Sequence, residues 1–234
     1  MTVTALVSGG KDSIYSAYLA DTQGWPVDEL VTIVPEEPDA MMFHTPNLDL
    51  VALQARAWGK GHRRVPVRGV GEDRELAALH EAIGGDQGPV VVGAIQSSYQ
   101  WARVLRVADR AHRRVYAPLW RTEPARVVRE EIAAGLDIRL VHLAAESLTP
   151  ELLGRRLDLT LVEELERRSR DIRPVNVAGE GGEFETLVVD APFFSERIEL
   201  DAFERTTSRE TAQLKVAKAR LVPKESGRWE RGCP

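Results

Sequence analysis

One strand–turn–helix passage near the N-terminus constrains this chain more than any other feature. An apolar run at residues 3–7, VTALV, stops at Ser8-Gly9-Gly10, and Ile14, Tyr15, Tyr18 and Leu19 then fall on one helical face over residues 12–21. A short apolar run closed by glycine suits a strand buried on both faces, and such a strand feeding a helix is the opening of a parallel sheet. The alternation continues. Residues 30–34 read as the next strand. Thr45-Pro46 then caps a helix carrying Leu48, Val51, Ala55 and Trp58 as far as Gly59. Residues 65–67 are a weaker strand, and Leu76, Leu79 and Ile83 form a helical stripe closed by Gly84-Gly85. Residues 89–95 give the clearest strand, Ser97 opens a helix with Trp101, Val104, Leu105 and Ala108, and residues 114–117 give a short strand. The expected fold class is α/β: a Rossmann-like parallel sheet with helices on both faces.

After Pro118 the rhythm changes. Thr122 is placed to cap a helix through Val127, Val128, Ile132 and Leu136, with Gly135 near its end, and residues 139–143 read as a strand. Thr149-Pro150 caps a short helix, and Thr160 with Glu163 forms a capping box for another. Residues 183–190, 197–200 and 213–222 look extended with no helices between them. The expected division is therefore a nucleotide domain at 1–117, a smaller α+β substrate domain at 118–222, and a polar tail at 223–234. No linker marks the boundary, and there is no internal repeat.

Composition narrows the function classes. The 234 residues carry 31 basic and 36 acidic side chains, net −5, with a pI near 5.7. A protein that grips nucleic acid through many phosphates shows a basic excess, so direct nucleic-acid binding is not expected, although residues 60–68 and 103–114 are locally basic. No apolar run approaches the roughly 18 residues of a membrane span, and the N-terminus lacks the pattern of a signal peptide. The single cysteine, Cys233, excludes a disulfide framework and a cysteine zinc site. A cytoplasmic location is the expectation. Among the few lysines, Lys11 lies inside the glycine-rich turn.

That turn has phosphate-binding chemistry. N–H groups at a helix start point outward and the helix dipole adds positive potential. Gly9 and Gly10 let the backbone close on a phosphate, Lys11 adds a charge, Ser8 and Ser13 can donate hydroxyl hydrogen bonds, and Asp12 can hold magnesium or cap the helix. A Walker A loop would need glycine and Ser/Thr where the sequence has Ala5 and Asp12. The run SGGKDS instead resembles the PP-loop of N-type ATP pyrophosphatases, a Rossmann-like (HUP-like) superfamily in which the loop holds the pyrophosphate end of ATP and the α-phosphate is attacked.

Further segments sharpen the resemblance: Met42-Phe43-His44-Thr45-Pro46-Asn47; Gly93-Ala94-Ile95-Gln96-Ser97-Ser98-Tyr99-Gln100 with Arg103 behind it; Pro118-Leu119-Trp120; and Gly179-Glu180-Gly181-Gly182-Glu183-Phe184-Glu185-Thr186 followed by Asp190-Ala191-Pro192. Together they look like the diphthine–ammonia ligase family over roughly residues 3–195. The resemblance implies ATP-dependent amidation of diphthine on elongation factor 2 with ammonium, giving diphthamide, AMP and pyrophosphate. It implies a nucleotide site at Ser8, Gly9, Gly10, Lys11, Asp12, Ser13, Met42, His44, Gly93, Ala94 and Ile95. Substrate contacts are expected at Tyr99, Arg103, Trp120, Glu180, Gly181, Gly182, Glu183, Phe184, Glu185 and Thr186. Lys11, Asp12 and Glu183 are expected in catalysis, with ATP and magnesium, the latter at Asp12. A quaternary ammonium substrate favours aromatic faces and carboxylates; Trp120 and Phe184 read equally well as core, while for Glu183 and Glu185 the solvent face of a strand is the lesser reading. The alternatives are a PP-loop tRNA-modifying enzyme, a bacterial-type relative amidating another substrate, and a nucleotide-binding module without catalysis. Oligomeric state is left open.

Overall fold

A computed structural model describes residues 3–35, 47–84, 88–145, 147–171 and 175–224. The readings at Met42, His44 and Thr45-Pro46, and Cys233, lie outside the described residues.

The first sheet has five strands: β1 (Val3–Leu6), β2 (Val27–Pro35), β3 (Gly61–Val67), β4 (Val90–Val91) and β5 (Val115–Tyr116). They run in the order β3-β2-β1-β4-β5, and every pairing is parallel. The connecting helices are α1 (Lys11–Thr22), α2 (Val51–Trp58, entered through a 3-10 turn at Leu48–Leu50), α3 (Glu72–Ile83) and α4 (Ser98–Arg110). Strand periodicity explains why both faces are covered. Leu30 and Val91 join α1 and α2 in one apolar cluster, while their chain neighbours Val31 and Val90 join α3 and α4 in another.

A second, antiparallel sheet follows, built from β6 (Asp137–Leu143), β7 (Phe184–Asp190), β8 (Glu196–Thr207) and β9 (Ala212–Pro223) in the order β7-β6-β9-β8. Helices α5 (Pro124–Ala133) and α6 (Leu159–Asp171) pack with it. The larger apolar cluster continues from Val3 and Ile14 through Val128 and Ile138 to Val188 and Ile198, so the two sheets share one core.

Several local expectations are corrected. The ladder of the fourth strand covers only Val90–Val91 rather than residues 89–95, because the chain beyond Val92 leaves the sheet to pass over α1. Thr122 does not cap α5; Glu123 does, accepting from the N–H groups of Ala125 (2.9 Å) and Arg126 (2.6 Å), with Pro124 in the first turn. The Thr160/Glu163 capping box is replaced by Asp158, whose carboxylate accepts from Leu161 N at 2.9 Å. Strands β8 and β9 form one long hairpin whose distal part, residues 201–211, is exposed throughout. Exposure on both faces removes the apolar alternation that marks a strand in sequence.

Candidate functional site

The glycine-rich turn leaves β1 at the carboxyl edge of the parallel sheet, where open α/β sheets bind ligands. An open cleft of about 280 Å³ lies there, lined by Ser8, Asp12 and Ser13 of the turn, Gly93 and Ala94 after β4, Gln100, and Glu180. Val7, Val31, Ile33, Val92 and Val104 make its apolar walls. Ser13 ties the turn together: its Oγ donates to Gly10 O at 3.0 Å and accepts from Ser8 N at 3.2 Å.

The turn is held from behind by the second sheet. Lys11 N donates to Thr186 Oγ1 (3.1 Å) and Val188 N to Gly9 O (3.0 Å). Gln54 of α2, fully buried, donates through Nε2 to both Gly9 O (2.9 Å) and Val188 O (2.7 Å). Gly9 sits at φ +85°, and a Cβ there would stand 3.0 Å from Gln54 Oε1, so glycine is required twice over.

Lys11 is not in the cleft. Its side chain is 1% exposed, with Nζ 2.6 Å from Asp12 Oδ1 and 3.8 Å from Glu131 Oε2, itself completely buried on α5. Burial alone would lower the Lys11 ammonium; Asp12 and Glu131 more than reverse it and hold its pKa above the ordinary lysine value. Burial also pushes the Glu131 carboxyl well above the carboxylate range, against the pull of Lys11. Lys11, Asp12 and Glu131 thus form an internal charge cluster behind the turn.

Gly93, which lines the cleft, also has a packing task. A Cβ there would fall 2.7–2.8 Å from backbone atoms of Asp12 and Ser13, so glycine lets the loop after β4 rest on the first turn of α1. Ile95 is buried and meets the cleft with no side chain; its carbonyl accepts from Arg121 N at 2.8 Å.

The GEGGEFET segment spreads over three environments. Glu180 reaches the cleft, where Oε2 accepts from Gln96 N at 2.9 Å; burial raises its carboxyl above the usual range. Glu183 folds its own turn, accepting from Asn176 N (3.1 Å) and Gly181 N (2.8 Å), with Gly181 and Gly182 exposed beside it. Both of its oxygens are engaged in shaping that turn. Phe184 is core rather than cage. Thr186 props the loop. Glu185 points to the other face of β7, opposite His142 of β6, and burial pushes its carboxyl up to about 8.

Tyr99, Arg103 and Trp120 lie outside the cleft lining. The Arg103 guanidinium covers the Tyr99 ring at 3.3 Å and pairs with Glu72 at 2.7 Å. Trp120 stacks on Trp101 with ring centroids 4.7 Å apart, and Arg121 lies 5.9 Å above Trp120. The aromatic face of Tyr99 expected for a cationic substrate is thus already covered by an arginine.

Gln54 and Glu131 were missed by sequence reasoning. Each had a visible signal: a polar side chain on the apolar stripe of its helix, Gln54 three residues after Val51, and Glu131 three after Val128.

A glycine-rich turn at the carboxyl edge of a doubly covered parallel sheet, backed by an antiparallel sheet, defines the class: a Rossmann-like α/β protein with a C-terminal α+β part. Family profiles described as "Diphthamide synthase N-terminal domain" and "Diphthamide synthase C-terminal domain" match residues 1–114 and 123–222. A protein named diphthine–ammonia ligase from Mus musculus is 31% identical over 94% of this chain and 91% of its own length. Its Danio rerio counterpart is 32% identical over 95% of both chains. The Homo sapiens one is 30% identical over 95% of this chain and 91% of its own. The chain belongs to the diphthine–ammonia ligase family.

Proposed function

We propose that this chain is an ATP-dependent carbon–nitrogen ligase that amidates the carboxylate of diphthine on elongation factor 2. The observation that carries the reading is the cleft itself: the N-terminus of α1 and the Ser8–Ser13 turn form its polar floor, and Val31, Ile33, Val92 and Val104 form walls that suit a base. In this reading the substrate carboxylate oxygen attacks the α-phosphorus of ATP, the bond to the β-phosphate breaks, and pyrophosphate leaves. Ammonia then attacks the acyl carbon, the amide forms, and AMP departs. Adenylation is needed because a free carboxylate is a poor acyl donor.

The residues divide the work. Backbone N–H groups of the turn and the Ser8 hydroxyl hold the triphosphate and offset the charge that develops on the departing pyrophosphate, while the Ser13 hydroxyl, donating to Gly10 O, shapes the turn. Glu180, at the cleft on the second sheet's side, is the carboxylate placed to attract the cationic acceptor and ammonium.

Magnesium fits the same cleft. Asp12 and Glu180 both line it, and burial, with the Asp12 charge adding to it, holds the Glu180 carboxyl above its usual range. Magnesium is an ion held by one or two carboxylates and the substrate's own phosphates, and Asp12 and Glu180 are the two carboxylates lining the cleft. It would neutralise triphosphate charge. No helix among the described residues is long and apolar enough to cross a membrane.

The deciding experiment is product analysis with diphthine-bearing elongation factor 2, ammonium and ATP. AMP and pyrophosphate by chromatography, with amidation seen by mass spectrometry, are expected. ADP and phosphate would rule the mechanism out.

A further inference from the structure

A Gly-Gly pair is the easiest place in a backbone for a peptide unit to turn over, because neither flanking residue has a Cβ to resist the rotation. In a phosphate cradle the two orientations of such a unit have opposite consequences. One offers the ligand an N–H donor and the other a carbonyl oxygen, which repels it. The unit joining Gly9 to Gly10 is therefore a point where this loop needs a lock.

The lock is present. Gly9 O accepts two hydrogen bonds, from Gln54 Nε2 at 2.9 Å and Val188 N at 3.0 Å. Gln54 is completely buried, and its second contact, Nε2 to Val188 O at 2.7 Å, is also to a carbonyl. Two carbonyl partners require the amide nitrogen on that side, so the orientation of the Gln54 amide follows from its surroundings. The described residues contain no cis peptide bond. In a trans unit the C=O and the following N–H point in opposite directions. With Gly9 O drawn towards α2 and β7, Gly10 N–H is turned away from them.

We propose that Gln54 is a positioning residue for phosphate binding: by pinning the Gly9 carbonyl it keeps the Gly10 N–H turned outward as a donor to the phosphate chain. The inference rests on the nucleotide reading of the cleft and adds to it a residue on α2, some forty positions beyond the loop motif. Val188 supplies the same carbonyl with a second donor, and Gln54 also fastens Val188, so the side chain joins loop, helix and second sheet at one point. Thr186 acts on the next peptide unit by accepting from Lys11 N, which leaves Gly10 as the donor this lock controls.

The test compares inorganic pyrophosphate with adenosine as calorimetric probes of the full chain. Gln54→Met keeps length and burial but removes the donor. Pyrophosphate affinity is expected to fall roughly tenfold or more while adenosine affinity stays within about twofold, on the scale of one lost ligand hydrogen bond. Equal losses for both probes, or no loss, would overturn the proposal. Should the variant fail to fold, amide NMR of the parent decides. The Gly10 N–H resonance is expected to be among those most shifted by pyrophosphate, and a Gly10 resonance that stays still while other loop amides move would overturn it. A parent that binds neither pyrophosphate nor ATP would remove the nucleotide reading itself, and this inference with it.

Discussion

Lys11 illustrates how the surroundings of a side chain can escape a reading of its motif. Its place in SGGKDS suggests a cation for phosphate, yet its ammonium lies beneath the cradle between Asp12 and Glu131. Nothing in the residue type tells which way a side chain leaves a turn; that depends on α5, whose Glu131 is more than a hundred positions away. Replacing Lys11 by Met removes the ammonium that Asp12 and Glu131 share; because burial already favours the protonated Glu131 carboxyl, the loss is expected to fall below the roughly 3–5 kcal/mol of a broken buried ion pair. A fall in the thermal unfolding midpoint is therefore expected as well as slower AMP release. The double replacement Lys11→Met with Glu131→Leu is expected to recover much of the lost stability. A Lys11→Met protein that melts like the parent would contradict the buried cluster. Glu185 gives a separate pH signature. Its carboxyl, held up to about 8 by burial against an ordinary 4.5, keeps a proton in the folded protein that the unfolded chain releases. That contribution to stability is complete below the unfolded value, shrinks as pH climbs from about 4.5, and is lost above about 8. Urea midpoints across that range are expected to show the decline, and Glu185→Gln is expected to flatten it.

Elements were more legible than their ends. Each strand and helix of the first sheet was visible as a periodicity, because strands buried on both faces and helices buried on one leave strong patterns. The caps at Glu123 and Asp158 were not, since neighbouring Thr122 and Thr160 satisfy the same rule and only the folded geometry chooses between them. Residues 213–222 read as extended almost as β9 runs, whereas β8 reads as extended only over residues 197–200, because its outer part contacts water on both sides. Gly93 lines the cleft, and the neighbour that demands glycine there is α1. Gly93→Ala puts a methyl 2.7–2.8 Å from the first turn of α1, an overlap that costs roughly 1–3 kcal/mol if the backbone shifts. A lower unfolding midpoint together with weaker ATP binding by calorimetry is expected, since the displaced element is the floor of the cleft. At the GEGGEFET turn, Glu183→Gln keeps the size but can no longer accept from both Asn176 N and Gly181 N. The turn that seats Glu180 should loosen, with acceptor amidation down about tenfold and ATP affinity changed only a few-fold. Equal losses in both would place the turn in the nucleotide site instead.

At the scale of the molecule, the proposed division near residue 117 meets a core that does not divide there. The apolar cluster under β1 and α1 is completed by α5, β6 and β7. A fragment ending at residue 117 would expose that face, and is expected to lack a cooperative thermal transition and to bind an apolar dye such as ANS. A sharp transition in the fragment would show that the first sheet stands alone. The same architecture carries a consequence for how the protein is made. The loop at residues 8–13 is joined to Thr186 across 175 positions of sequence, and the Gln54 contact to Val188 spans 134. During synthesis the glycine turn leaves the ribosome early, but the strand that sets its carbonyls emerges on the order of ten to thirty seconds later at ordinary elongation rates. Until then the nascent chain carries the whole signature of a phosphate site with its Gly-Gly peptide unlatched, so capacity to grip nucleotide should arise late and abruptly, only after β7 clears the exit tunnel.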